Sequence, residues 1–234
     1  MLTIILAEAE LEFLPARLKH HPQAQAVARA RDRRASRTIL DSSVHNQALM
    51  DSDLPDKERR GRPDLVHFSM LLALDSVLNQ KRGLRFFVHT RHDELITVDA
   101  ATRIMRHYPR WIGLMEKLLH EGATPRQKPL LTCEEGWRLT DVLTKHALGP
   151  VLVMDEAGAA TTPRALAQTH AASDATLVLG AFPHGSYHTD FAGVDLQRVS
   201  FGTQPQSVWT ILGNVLAQWE DVTGAYPADR EPTA

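Results

Sequence analysis

The sequence has only one cysteine, Cys133, and no long apolar run among its 234 residues. A single thiol excludes an internal disulfide and a zinc site made of several thiolates, and it is typical of a reducing compartment. A membrane span needs roughly 18 uninterrupted apolar residues, and the apolar start at residues 2–6 is also too short for a signal peptide. We therefore expect a cytoplasmic protein with no membrane association.

An excess of one charge is also missing, because the net charge is −2. With 43% hydrophobic and 23% charged residues the chain fits one globular domain, and we predict that residues 1–234 form one. Any nucleic-acid surface on such a protein must be local. The histidine pairs His89 with His92 and His184 with His188 have no acidic or thiol partners in a metal-ligand motif, so no metal is expected.

Arginine, by contrast, is concentrated. Arg103, Arg106 and Arg110 follow one another at short spacing, with Tyr108 between the last two and Trp111 directly after them. Guanidinium groups pair with phosphate through two hydrogen bonds, and an aromatic ring can stack on a base. Pro109 disfavours helical angles at the residue before it, which predicts a turn or extended segment leading into a helix from Arg110. The pattern suggests nucleic acid, although a solvated helix face would show similar spacing.

Two further basic clusters lie earlier in the chain. Five arginines fall within residues 29–37, and Lys57, Arg59, Arg60 and Arg62 form the second cluster. Either could be a flexible basic arm, and an ordinary solvated loop is the alternative, especially for the first.

Apolar periodicity predicts an α/β fold with a mostly parallel sheet. The predicted strands are residues 2–6, 38–40, 84–90, 95–98, 130–132, 151–154, 175–179 and 198–201. The predicted helices are residues 63–79, 110–120 and 134–147, one that opens at residues 162–163, and 207–223. The strands at 84–90 and 95–98 form a hairpin, within an inserted elaboration at about residues 80–110.

Three loops follow the carboxyl ends of predicted strands, which is where open parallel sheets bind ligands. They are residues 155–162, 180–187 and 202–206. In the second loop, Gly180 and Gly185 let the backbone approach a ligand closely. The loop lacks the glycine pattern of a dinucleotide fold and the lysine of a phosphate loop, so it suits a neutral adenine or ribose. A glycine-bearing turn without a ligand is the alternative.

Several motifs occur along the chain in one order. They are residues 60–68, 74–79 and 88–91, the arginine triplet followed by 113–116, then 180–185, and finally 199–200 with Pro205. Together these motifs resemble the pseudouridine N1-methyltransferases of ribosome biogenesis, a SPOUT-class family of the essential-for-mitotic-growth type. The resemblance runs from about residue 4 to residue 223.

This resemblance implies a SPOUT-type α/β fold with a C-terminal trefoil knot, active as a homodimer. It implies S-adenosylmethionine as cofactor and methylation of ring N1 of a pseudouridine in small-subunit ribosomal RNA. Knots are rare, and periodicity alone does not predict one. The closing helix, with Trp209 and Trp219, offers a possible dimer face.

Residue roles follow from the same resemblance. The residues expected to bind RNA are Arg62, Arg103, Arg106 and Arg110. Asp64 is expected to hold the structure around Arg62, and Asp75 corresponds to the acidic residue near the reacting nitrogen. The residues expected to contact the cofactor are Gly180, Gly185, Phe201, Gly202, Thr203, Gln204, Pro205 and Gln206.

The last cofactor segment departs from the family pattern. Gly202, Thr203 and Gln204 stand where Ser-Asn-Tyr is usual, and Gln206 stands where a leucine is usual. Met105 likewise replaces the usual proline of the arginine motif. A second hypothesis is therefore an RNA-binding assembly factor with weak or dispensable catalysis. A third is a nucleotide-binding α/β protein unrelated to RNA.

Overall fold

The computed structural model describes residues 1–202 and 204–226. Within this part of the chain the strands are β1 (Leu2–Ala9), β2 (Leu84–Thr90), β3 (Glu94–Val98), β4 (Ala123–Thr124), β5 (Leu131–Glu135), β6 (Val151–Ala160), β7 (Ala175–Gly180) and β8 (Gln197–Ser200). They form one sheet in the order β4-β5-β3-β2-β1-β7-β6-β8. The block from β2 to β8 is parallel, and β3, β5 and β4 add an antiparallel edge.

Helices cover both faces of the sheet. They are α1 (Pro22–Ala30), α2 (Ser42–Met50), α3 (Pro63–Asp75), α4 (Val77–Gln80), α5 (Tyr108–Glu121), α6 (Leu139–His146), α7 (Pro163–His170) and α8 (Val208–Val222). Successive side chains of a strand point to opposite faces, so a strand that is covered on both sides is apolar throughout instead of alternating. In β1, Ile4 and Leu6 enter the larger core with α3, α5, α7 and α8, whereas Ile5 enters the smaller core with α6.

The antiparallel elaboration matches its prediction closely. β2 and β3 form the expected hairpin, with Phe86 opposite Val98. α5 begins at Tyr108 with Pro109 in its first turn, and it ends at Gly122, whose φ of +75° is the left-handed conformation of a glycine helix cap. Residues 102–107 before α5 are not helical, as predicted. The predicted start at Arg110 is wrong, however, because α5 begins two residues earlier and Tyr108 is helical although Pro109 follows it.

Three predicted elements differ in the structure. Residues 38–40 form no strand, because only Ile39 makes an isolated bridge, to Phe13. The helix predicted at 63–79 breaks at Ser76, whose extended backbone and hydroxyl cap the short α4. Residues 134–135 belong to β5, so the following helix begins only at Leu139.

The loop predicted at residues 155–162 is also shorter than expected. β6 continues to Ala160 and pairs with β8 again after an irregularity, with Ala159 opposite Val199. Gly158 permits this pairing, because a Cβ there would lie 2.5 Å from the backbone nitrogen of Val199. No helix in the described part of the chain combines the length and the apolar character needed to cross a membrane. The trefoil knot and the single domain stay predictions.

Candidate functional site

A cavity of about 530 Å³ opens at the carboxyl ends of β7 and β8, beside residues 154–156 of β6. This is the edge of a parallel sheet where ligands are expected. Seven of the eight residues predicted to contact a cofactor line it: Gly180, Gly185, Phe201, Gly202, Gln204, Pro205 and Gln206. The eighth, Thr203, lies outside the described residues. The structure therefore brings two separate sequence motifs to one cavity.

Two glycines, Gly180 and Gly185, have distinct roles in the first cavity loop, which is residues 180–189 and includes the second of the three predicted ligand loops. A Cβ on Gly180 would lie 2.7 Å from the ring of Phe182, so the missing side chain allows that ring to fold back over the backbone. Gly185 has φ of +84°, a conformation that side chains other than glycine rarely adopt. Tyr187 meets the Phe182 ring edge-on and donates its hydroxyl to the carbonyl oxygen of Met154 at 3.1 Å. The loop is thus folded onto itself around an aromatic pair.

The second cavity segment, from Phe201 to Gln206, lacks the apolar leucine of the family pattern, and neighbouring residues supply apolar side chains in its place. Gln206 does not provide an apolar wall, because its amide donates to the carbonyl oxygen of Phe201 at 2.8 Å and closes the segment into a turn. Apolar side chains at the start of α8 line the cavity instead: Val208, Trp209 and Ile211. The turn also uses Gly202 at φ of +77°. An apolar wall is therefore present, supplied by residues that follow the motif.

Arg62 lies where α3 begins and lines the same cavity. Its guanidinium group makes two hydrogen bonds of 2.8 Å to the two carboxylate oxygens of Asp64. This pairing is the main reason why the pKa of Arg62 lies above its ordinary value. A two-pronged pair fixes the plane of the guanidinium group, so Asp64 orients Arg62 toward the cavity side of the helix.

The arginine triplet lies on and just before α5. Arg103, Arg106 and Arg110 are exposed, and within residues 1–202 and 204–226 none of their guanidinium groups pairs with a carboxylate. The segment is tied to α3, because the ring of His67 donates to the carbonyl oxygen of Met105 at 2.8 Å. His67 follows Arg62 by little more than one helical turn, so α3 connects the triplet with the cavity wall.

The ring of Tyr108 is engaged within the protein and is not a free platform for a base. It is half-buried, 5.5 Å from the His67 ring, and its hydroxyl donates to Asp41 at 2.8 Å. Burial and the nearby Asp41 carboxylate raise its pKa well above the ordinary range. Tyr108 therefore fixes the start of α5, and the stacking suggested by the sequence is not available to it in this conformation. It is not available to Trp111 either, because that ring is fully buried in the core.

Asp75 lies apart from the cavity of its own chain. It is the last residue of α3 and is exposed, whereas the cavity is lined by Leu65 in the first turn of the same helix. Ten residues of helix separate them by about 15 Å. The structure thus does not bring Asp75 together with the other predicted site residues in one chain.

The second basic cluster is not a flexible arm. Arg59 and Arg60 are only 6% and 8% exposed, and both are paired with carboxylates at the end of β1. Arg59 bonds to Glu8 and Glu10, while Arg60 makes a two-pronged pair with Glu12 at 2.7 and 2.5 Å. The sequence prediction missed this network. The sequence signal for it was the run of three glutamates, Glu8, Glu10 and Glu12, that follows the apolar residues 2–6. All three are buried in the structure.

The first basic cluster packs against α5. Arg31 and Arg33 lie 3.7 and 3.8 Å from the carboxylate of Glu116, which also accepts the backbone N–H of Ile39. One carboxylate therefore serves two arginines, and the other arginines of residues 29–37 are exposed. This segment is held beside the helix that carries the triplet.

A comparison with known proteins links this geometry to one family. The model of the EMG1/NEP1 methyltransferase family matches residues 4–220. The ribosomal RNA small subunit methyltransferase Nep1 of Thermococcus kodakarensis is 39% identical over 96% of this chain and 100% of that protein. Nep1 of Pyrococcus furiosus is 38% identical over 94% of this chain and 96% of that protein.

A solved structure shares the fold. Archaeoglobus fulgidus Nep1 bound to S-adenosylhomocysteine superposes with a TM-score of 0.82 at 33% identity, covering 95% of this chain and 98% of the other. The likeness therefore extends over nearly the whole chain.

Proposed function

This chain belongs to the EMG1/NEP1 methyltransferase family, and from that premise we propose that it methylates ring N1 of a pseudouridine in small-subunit ribosomal RNA. The methyl donor is S-adenosylmethionine. One observation carries the proposal: the glycine-lined cavity and Arg62 share a wall, so a cofactor cradle and a phosphate-binding group are adjacent. The order of the motifs points to the same reaction, and the relatives' names support its general form, methylation of small-subunit ribosomal RNA.

The cavity residues fit the proposed cofactor. A volume of about 530 Å³ falls within the usual range for a small-molecule site. Gly185 leaves backbone exposed for the adenine, and Trp209 offers an apolar wall. The carboxylates of Asp155 and Glu156 can accept hydrogen bonds from hydroxyl or ammonium groups. When bound, S-adenosylmethionine would supply a methyl group carried on a sulfonium, and the rest of the cofactor would be the leaving group, a neutral thioether. The protein then chiefly has to align donor and acceptor.

The exposed arginines fit the RNA. A base within a folded RNA has to leave its stack to be modified, which costs a few kcal/mol. Arg103, Arg106 and Arg110 have no carboxylate competing for them in the described residues, so phosphates flanking the target can offset that cost. Arg62, oriented by Asp64, would bind the RNA phosphate nearest the cavity.

Asp75 would act across a homodimer. It lies too far along α3 to reach the cavity of its own chain, so we propose that it serves the cavity of a second copy. Exposed apolar residues support such contact, because Phe68 and Leu72 on α3 are 48% and 42% exposed and Phe68 meets Trp209 of α8. Trp219, the other tryptophan expected at a dimer face, is buried in the core at 1% exposure. The dimer face would therefore combine α3 with the start of α8.

The role of the Asp75 carboxylate would be to accept the proton of the pseudouridine N1 or to orient its N–H. Asp75→Asn should then slow methylation far more than it weakens RNA binding. Equal losses in both would contradict a proton-handling role. Mixing Asp75→Asn with an Arg62→Gln chain should restore part of the activity if the two residues serve one site from different copies.

The alternative of a non-catalytic RNA-binding assembly factor is favoured by one observation, the changed segment around Gly202 and Gln206. Calorimetry separates the two functions. We expect S-adenosylmethionine to bind, whereas no detectable binding at millimolar concentration would favour the assembly factor. A nucleotide-binding protein unrelated to RNA, the third hypothesis, requires RNA affinity to survive loss of Arg103 and Arg110.

The reaction itself is tested on the modified RNA. Small-subunit rRNA from a deletion strain, analysed by mass spectrometry, should lack one methyl group on a pseudouridine, and the purified protein with S-adenosylmethionine should restore it. An unchanged methylation pattern in the deletion strain would overturn the proposal. A cytoplasmic location and independence from metal ions stay predictions.

A further inference from the structure

Arg59 joins the end of β1 to the first cavity loop. Its guanidinium group donates to Glu10 at 2.9 Å, to Glu8 at 2.5 Å and to the carbonyl oxygen of Ser186 at 2.6 Å. The flat face of the same group lies over the ring of Phe182, with 3.6 Å from Cζ to the ring centroid. One buried side chain thus binds the strand through its edges and the loop through both an edge and a face.

Glu8 binds the far end of the same loop. Its carboxylate accepts the backbone N–H of His188 at 2.9 Å, the backbone N–H of Thr189 at 2.8 Å and the Thr189 hydroxyl at 2.8 Å. Burial acts to raise the pKa of Glu8, but these hydrogen bonds and the charge of Arg59 outweigh burial and hold the pKa below its ordinary value. The carboxylate is therefore ionised at neutral pH and able to accept all of them.

The backbone of Glu8 is adapted to this contact. Its φ is +50°, in the left-handed region, at an irregularity in the pairing of β1 with β2. A residue other than glycine in that region is strained, and the strain persists only where the surroundings fix it. Here the surroundings are the Arg59 guanidinium and the N–H groups of the loop.

The two residues together set the position of an aromatic wall. The Phe182 ring lies between the backbone of Gly180, which has no Cβ to obstruct it, and the guanidinium of Arg59. Gly180 and Phe182 both line the cavity. A change in Arg59 would therefore move the ring that borders the proposed cofactor, without removing any group that lines the second cavity segment.

We infer that Glu8 and Arg59 are positioning residues for the cofactor, which hold the loop at residues 180–189 in its binding shape before the cofactor arrives. The inference rests on the proposed function, because it takes S-adenosylmethionine as the occupant of the cavity. Holding a loop in advance spares the binding step the entropy of ordering it. The pair acts through Phe182 and the loop backbone and touches no reacting atom.

Arg60 provides a matched control. Its side chain is 8% exposed against 7% for Arg59, and it too makes buried bonds to a β1 carboxylate, that of Glu12. Among the hydrogen bonds and ion pairs of the described residues, however, Arg60 has none with residues 180–189. Arg59→Lys and Arg60→Lys each keep the charge and lose the planar fork, so both should lower Tm.

Only Arg59→Lys should weaken binding of the cofactor. We expect its Kd for S-adenosylmethionine, measured by calorimetry, to rise about ten-fold or more, because lysine cannot bond three ways and also cover the ring. Arg60→Lys should stay within about two-fold of the wild type, since the loop is not its neighbour. In steady-state assays the KM for S-adenosylmethionine should rise in Arg59→Lys, while kcat at saturation and RNA affinity should hold.

Amide hydrogen exchange gives a readout that does not depend on the cofactor. In the ligand-free protein, Glu8→Gln should speed exchange at the His188 and Thr189 amides about ten-fold, because an amide side chain has one acceptor oxygen where the carboxylate has two. Exchange in α8 should be unchanged.

The outcomes that contradict the inference are distinct from failure of the proposed function. Unchanged cofactor affinity in Arg59→Lys, or an equal loss in Arg60→Lys, would overturn the inference, and so would unchanged exchange in Glu8→Gln. If the wild type itself binds no S-adenosylmethionine, the proposed function fails, and the exchange data still decide whether Glu8 holds the loop.

Discussion

Two groups of arginines in this protein have opposite surroundings. Arg59 and Arg60 are buried and each bonds to glutamates at the end of β1, whereas Arg103, Arg106 and Arg110 are exposed and have no carboxylate partner in the described residues. A buried charge that loses its partner is costly, while a solvated one is nearly neutral for stability. The first group therefore belongs to the architecture of the site, and the second remains available to a ligand.

The largest effect that tests this comparison is on stability. Arg60→Met should lower the free energy of unfolding by about 3–5 kcal/mol, because it removes the two-pronged partner of the buried Glu12 carboxylate. Arg106→Met, the exposed counterpart, should change it by less than about 0.5 kcal/mol. Urea denaturation measures both, and equal losses would abolish the distinction between the two groups.

The next effect is on RNA binding. Replacing Arg103, Arg106 and Arg110 together by glutamine should weaken RNA binding by about a hundred-fold at ~0.1 M salt and reduce the slope of log K against log salt by about 2, as three phosphate contacts disappear. The melting temperature should not change. A preserved salt slope would show that the triplet does not contact the phosphates.

A smaller effect depends on pH. Burial acts to raise the pKa of Glu12, but hydrogen bonds from His92 and Arg60 outweigh it, so the pKa lies below its ordinary value. A lowered folded pKa adds stability that is complete above the unfolded carboxyl pKa of about 4.3 and is lost as pH falls through the folded value. The free energy of unfolding of the wild type should therefore exceed that of Glu12→Gln most near neutral pH. This difference should narrow below about pH 4. A pH-independent gap in urea denaturation would contradict this linkage.

The smallest effect concerns the segment packed beside α5. Arg34 and Arg37 are exposed, and Arg33 shares the Glu116 carboxylate with Arg31. Replacing Arg33, Arg34 and Arg37 by glutamine should weaken binding of a long rRNA fragment by about two- to five-fold and leave a minimal target hairpin unaffected. A loss as large as that of the triplet would place the segment at the centre of the RNA surface.

Much of the fold could be predicted because it depends on local patterns. The hairpin, the position of Pro109 in the first turn of α5 and the end of α5 at Gly122 follow from residue types that act on their own backbone. The break at Ser76 and the extension of β6 to Ala160 could not be predicted, since a capping hydroxyl and a close strand contact at Gly158 depend on what the fold places beside them.

The candidate site divides in the same way. Gly180 and Gly202 could be assigned from motifs, and both line the cavity. The role of Arg59 could not be assigned, because its partners Glu8 and Glu10 lie about 50 residues earlier and only the folded chain joins them. A basic cluster resembles a solvated arm until the carboxylates that neutralise it are located.

The sheet ends on both sides in a short strand, β4 with two residues and β8 with four. Long open edges present rows of unpaired backbone groups that recruit strands from other molecules, and edges this short present few. A single copy whose exposed apolar residues on α3 and at the start of α8 are uncovered should therefore still add strands from other copies inefficiently, and so form fibrils slowly.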